Sequence, residues 1–129
     1  MPHKILIVDD EPDMLASLRK ALEGRGHQVS VCDNGRDVVA AICDHRPDLM
    51  IMDVMLPGMD GYSLITKLST EPGPELRSLP VIVISALEPA SCMFQSFPQV
   101  KAFLSKPFDI EDMVLAVNSA LDREVPPEP

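Results

Sequence analysis

The chain has 129 residues, 46% hydrophobic and 24% charged, enough for one domain whose core needs neither metal nor disulfide staples. A net charge of -9 excludes a binder of nucleic-acid backbone, which needs clustered Lys and Arg. No apolar run approaches the ~18 residues of a membrane span, and the N-terminal run is too short for a signal segment, so the expectation is a cytoplasmic protein without membrane contact.

In chain order, Ile5-Leu6-Ile7-Val8 is an apolar, β-branched run that ends abruptly in Asp9-Asp10-Glu11. It reads as a buried strand delivering acids to its end. Pro12 suits the first turn of a helix, and Leu15, Leu18 and Leu22 supply its apolar stripe before Gly24 and Gly26 end it. Val29 and Val31 alternate with Gln28 and Ser30, which predicts a short edge strand with one less buried face. After the turn Asp33-Asn34-Gly35, a second helix carries Val38, Val39, Ile42 and Cys43. Cys32, Cys43 and Cys92 show no metal-ligand spacing and leave one thiol over in any disulfide scheme, so they read as reduced core thiols.

Leu49-Met50-Ile51-Met52-Asp53 lies between Pro47 and the turn signals Pro57-Gly58 and reads as a central strand ending in a carboxylate. A third helix follows Gly61 with Leu64, Ile65 and Leu68. The next run, Leu79 to Ile84, ends in Ser85. Pro89 and Pro98 bracket about two turns at most, so any helix between them is short or irregular. Val100 to Ser105 is the last strand, stopping at Lys106-Pro107, and Asp109 opens a final helix bearing Ile110, Met113, Val114, Val117 and Leu121. Strand and helix alternate five times, which predicts a doubly wound α/β fold, a parallel sheet with helices on both faces. One domain spans 1–122, and the Pro-rich stretch 123–129 is a tail or a truncated linker.

This topology gathers Asp9, Asp10, Asp53, Ser85 and Lys106 at one sheet edge. Singly, each has a bland explanation: an acid that caps a helix, a turn serine, a solvated lysine. Jointly, those explanations require five coincidences at the same place. Close carboxylates repel and call for a cation, and an all-oxygen donor set selects Mg2+, with Mn2+ as a substitute. A cation, an ammonium and a hydroxyl around Asp53 form a cradle for a transferring phosphoryl group, with Asp53 as nucleophile.

The motifs ILIVDDE at 5–11, DVMLPGMDG at 53–61, Ser85-Ala86 and FLSKPF at 103–108 occur in order over residues 4 to 122. In these the chain resembles a receiver domain of two-component response regulators. The resemblance implies a flavodoxin-like fold with strand order 2-1-3-4-5. It further implies a phosphoryl group arriving at Asp53 from a histidine kinase or histidine phosphotransfer protein. Mg2+ would be held by Asp10, Asp53 and the backbone carbonyl of Met55, with Asp9 acting through water. Lys106 would pair with the phosphoryl oxygens, Ser85 would close on them, and Phe103 would be the aromatic switch. The Lys106-Pro107 bond is one that is usually cis in the family. A downstream protein, an attached effector domain or a phosphorylation-dependent dimer would read the change.

The chain also departs from the family. Ser96-Phe97-Pro98-Gln99-Val100 stands where a Gly-Ala pair is common, and Met93, Phe94 and Phe97 fill the core or form an apolar docking patch. Apolar Met55 and Leu87 predict a slowly hydrolysing phosphoaspartate. Two other classes compete. A Mg-dependent aspartyl-phosphate phosphohydrolase usually carries a second Asp two residues after its nucleophile, where this chain has Met55. A receiver-like module that binds partners without phosphorylation would not need all five site residues. The expectation is therefore a signalling module, not an enzyme with an external product.

Overall fold

A computed structural model describes residues 3–53, 61–70, 79–85, 99–106 and 108–122. Five strands form one parallel sheet: β1 (Lys4–Val8), β2 (Gln28–Cys32), β3 (Leu49–Asp53), β4 (Val81–Ser85) and β5 (Val100–Ser105). Their spatial order is β2-β1-β3-β4-β5, with β3 at the centre. Between and after them lie α1 (Pro12–Glu23), α2 (Val38–His45), α3 (Gly61–Thr70) and the C-terminal helix α4 (Ile110–Asp122).

The period-two alternation of the strands sorts the core into two layers. Leu6, Val8, Met50, Met52, Val81 and Val83 pack with Val38 and Ile42 of α2 and Leu64, Ile65 and Leu68 of α3. Ile5, Ile7, Leu49, Ile51, Ile82 and Ile84 pack on the other face with Leu18 and Leu22 of α1 and Met113, Val117 and Leu121 of α4. Every residue of β3 and β4 is buried. These two strands read as continuous apolar runs because neither face meets water.

Local chemistry sets the element ends. Pro12 occupies the first turn of α1, where its missing N–H costs nothing. Gly26 turns the chain into β2 with a left-handed φ of 91°. Arg46 closes α2 in the left-handed region at φ 48°, its N–H donating to the Ile42 carbonyl over 2.8 Å. The carbonyl of Asp109 accepts the first bonds of α4 from Asp112 and Met113.

The β4–β5 pairing contains one irregularity. Val81 faces Val100, but Ile82 faces Ala102, so the register steps by one residue at Lys101. Val100 and Phe103 consequently lie on the α2/α3 layer, and Ala102 and Leu104 on the α1/α4 layer.

Two expectations need correction. Cys32 is buried, with its thiol on the Asn34 carbonyl at 3.2 Å, but Cys43 is exposed. Position 43 follows buried Ile42 by one residue, a rotation of about 100° that turns it away from the sheet. The stripe of α2 is therefore Val38 and Ile42, with Val39 and Ala41 partly buried beside it. Cys92, Met93, Phe94, Phe97, the expected short helix, the Lys106-Pro107 bond and the stretch 123–129 lie outside the described residues.

The far end of the sheet holds a contact that the sequence did not announce. The backbone N–H of His3 donates to His27 Nδ1 at 3.3 Å, and the two rings are 5.8 Å apart. Burial, aided by His3 and Arg25, pushes His27 below its ordinary value of 6.5.

Truncating Ile51→Ala should cost about 2–5 kcal/mol in urea unfolding, because the central strand cannot collapse onto the cavity. A loss below about 1 kcal/mol would contradict the packing described. For His27, the unfolded chain takes up a proton near pH 6.5 while the folded chain resists it. Stability from this group is thus fully present above that value and is lost as pH falls toward the depressed one. The melting temperature should drop between about pH 7.5 and 5.5, and His27→Gln should flatten that drop.

Candidate functional site: an acidic cluster at the sheet edge

Strands β1, β3, β4 and β5 all point the same way, so their C-terminal ends share one edge. Asp9 follows β1 and is fully buried, Asp53 ends β3 and is 4% exposed, and Ser85 ends β4 and is fully buried. Asp10 is exposed, and Lys106 follows β5. Carboxylate oxygens of Asp9, Asp10 and Asp53 lie within 4.8 Å of one another. The three acids and the lysine thus meet as the sequence predicts, although they span almost a hundred positions.

Lys106 binds the cluster together. Its Nζ donates to Asp53 Oδ2 at 2.6 Å and to Glu11 Oε1 at 2.8 Å, and stands 3.7 Å from Asp9 Oδ2. Burial pushes this ammonium down, but its hydrogen bonds to Asp53 and Glu11 and the charges of Asp53 and Asp9 outweigh that and leave it above the ordinary lysine value. The lysine therefore stays charged across the physiological range. Its backbone N–H also donates to the Ser85 carbonyl at 2.8 Å, which ties the two strand ends together.

Asp9 is the least comfortable member of the group. Its Oδ1 accepts the Glu11 N–H at 2.9 Å, whereas Oδ2 is buried with no hydrogen-bond partner. Burial raises its carboxyl above the usual range, and repulsion from Asp53 and Glu11 adds to this. The Glu11 N–H bond and the charge of Lys106 pull the other way. An orphaned carboxylate oxygen among two further carboxylates fits a hard divalent cation with oxygen ligands, Mg2+ or Mn2+.

Glu11 is the residue that sequence reasoning left with a merely local role, as a helix-start acid. Its contact with Lys106 joins the two ends of the chain and leaves no local signal beyond adjacency to Asp9-Asp10. Phe103 is half-buried against the α2/α3 core. Met55 and Leu87 lie outside the described residues.

The family model for the response regulator receiver domain matches residues 5–118. This chain belongs to that family. The receiver domain is 33% identical over 119 residues to the protein PilH of Pseudomonas aeruginosa, covering 92% of this chain and 97% of PilH. It is also 33% identical to the transcriptional regulatory protein TcrX of Mycobacterium tuberculosis, covering 95% of this chain but 51% of TcrX. The signal receiver domain of a signal transduction histidine kinase from Syntrophus aciditrophicus superposes with a TM-score of 0.83 at 34% identity, covering 98% and 95% of the two chains. The receiver domain thus spans about half the length of TcrX and nearly all of PilH.

Replacing Asp9→Asn removes one buried charge while keeping an acceptor for the Glu11 N–H. In metal-free buffer the variant should melt higher than wild type. Millimolar Mg2+ should raise the melting temperature of wild type and leave the variant nearly unmoved. Equal Mg2+ shifts in both would remove Asp9 from the cation site.

Proposed function

We propose that the receiver domain accepts a phosphoryl group on Asp53 from the phosphohistidine of a histidine kinase or a histidine phosphotransfer protein. The supporting observation is the buried Asp53 carboxylate at the end of the central strand, 2.6 Å from Lys106 Nζ and grouped with Asp9 and Asp10. An Asp53 oxygen attacks phosphorus as the bond from phosphorus to the imidazole nitrogen breaks. The electron pair leaves with that nitrogen, which then takes a proton. Lys106 exchanges part of its contact with Asp53 for a phosphoryl oxygen, so its charge follows the charge being transferred.

Asp9, Asp10 and Asp53 would hold Mg2+, or Mn2+ in its place, with the backbone carbonyl of Met55 that the family resemblance adds. When bound, the cation offsets negative charge on the phosphoryl oxygens. Asp9 contributes through its unbonded Oδ2, by way of water.

The phosphoryl group adds about -1.5 to -2 charges and three strong acceptors. We read Ser85 as the hydroxyl drawn toward it and Phe103 as the aromatic side chain that responds. Ser85 shares a backbone bond with Lys106, and Phe103 packs on the α2/α3 layer, so movement at the strand end reaches that face. A partner protein, an attached effector domain or a second copy would read it. The half-length match to TcrX supports an attached output in relatives of that kind. The Met55 and Leu87 side chains still predict slow hydrolysis of the adduct.

Intact mass after incubation with Mg2+ and acetyl phosphate checks this reading. Wild type should gain one phosphoryl group, Asp53→Asn none, and Lys106→Met should gain it on the order of 10²-fold more slowly. A folded, Mg2+-binding wild type that never gains mass, from acetyl phosphate or from phosphohistidine donors, overturns the proposal.

A further inference from the structure

The sheet has two edges, and the one at β2 carries a groove that the phosphoacceptor chemistry does not use. In the parallel pairing with β1, the Gln28 N–H donates to the His3 carbonyl and the Cys32 carbonyl accepts from the Asp9 N–H. Residues 28, 30 and 32 thus turn their backbone groups inward. Val29 and Val31 turn theirs to the open edge. Among the described residues no strand pairs with that edge.

The edge is neither flat nor polar. A groove of about 520 Å3 lies at its C-terminal half between the two helix layers, with Leu15 of α1 on one wall, Ala40 and Ala41 of α2 on the other and Val31 between them. Val31 is 41% exposed, one of the few large hydrophobic side chains so uncovered among the described residues. The alanines leave room for a second backbone to approach. Natural edges are commonly blunted by lysine, proline or a bulge, and β2 (Gln-Val-Ser-Val-Cys) carries none of these.

Charge selects the occupant. Asp33, Asp37 and Asp44 rim the groove with His45 beside them, and among the described residues no Lys or Arg lines it. The Asn34 amide donates to both Asp33 Oδ1 at 3.0 Å and Asp37 Oδ2 at 2.9 Å, which fixes two of the three carboxylates side by side. Two copies paired edge to edge would set these acids against each other. The stretch Glu124 to Pro129 of this chain, acidic and with three prolines, is equally unsuited.

We propose that the open edge of β2 docks an extended, basic segment of a partner protein, which adds to the sheet as a sixth strand. Val29 and Val31 supply the backbone bonds. Leu15 and Val31 receive the alternate apolar side chains on the face of α1, and Asp33, Asp37 and Asp44 meet the intervening Lys or Arg on the face of α2, where Ala40 and Ala41 leave room for them. Docking is independent of Asp53 and is tested on the unphosphorylated full chain.

The probe is a labelled Lys-Val-Lys-Val-Lys-Val-Lys peptide, read by fluorescence anisotropy, beside its Glu-Val counterpart and a version with a central Pro. The basic peptide should bind, weaken with added salt, and protect the Val29 and Val31 amides from hydrogen exchange. Protection at Gln28, Ser30 and Cys32 should not change. Exposed-site variants Asp44→Lys and Val31→Lys should each weaken binding by about tenfold or more. Equal binding of the Glu-Val or Pro peptides overturns the proposal. So do protection patterns elsewhere in the chain, unchanged affinity in both variants, or edge-to-edge dimers without peptide.

Discussion

Everything at the functional edge depends on one ammonium group meeting carboxylates from two other strands. In the order β2-β1-β3-β4-β5, Lys106 must reach across the end of β4 to Asp53 and on toward Asp9. Adjacent strands are about 4.8 Å apart, so the span from β5 to β3 is roughly 10 Å. A four-carbon stem closes most of this distance only if nothing bulky stands in the way. Ser85, small and fully buried, ends the strand in between. Its small side chain leaves the lysine that path.

The acids themselves destabilise the fold, and the sheet holds them in place. Asp9 and Asp53 are buried, with the Lys106 ammonium beside both and the Glu11 N–H on Asp9. The two apolar layers fix the strand ends firmly enough that the carboxylates cannot move apart. The Asp9 N–H donates to the Cys32 carbonyl and carries the same edge to β2, so one backbone hydrogen bond joins the acidic cluster to the open groove.

The fold was legible because its inner strands are buried on both faces and its helices on one. Runs such as 49–53 and 81–85 have no other stable place in a small α/β domain, and each ends in a polar residue that marks the edge. The site was legible for the same reason, since its members are the polar residues that stop apolar runs. What stayed hidden depends on contacts between distant side chains. The bond from Glu11 to Lys106 and the meeting of His3 with His27 follow from distances that no local pattern carries, whereas the exposure of Cys43 follows from the helical step after Ile42. The register step at Lys101 was equally silent, because Val100 to Ser105 is apolar enough to satisfy either face.

That step gives β5 one point of slack. With it, Phe103 belongs to the layer of α2 and α3, and Ser105 stands opposite Ser85. The extra residue is absorbed where it occurs: without Lys101, Val100 and Ala102 would face Val81 and Ile82 as an unbroken ladder, and Phe103 would keep its layer and Lys106 its place. A residue lost between Ala102 and Ser105 has no such slack and would draw Lys106 back from its carboxylates.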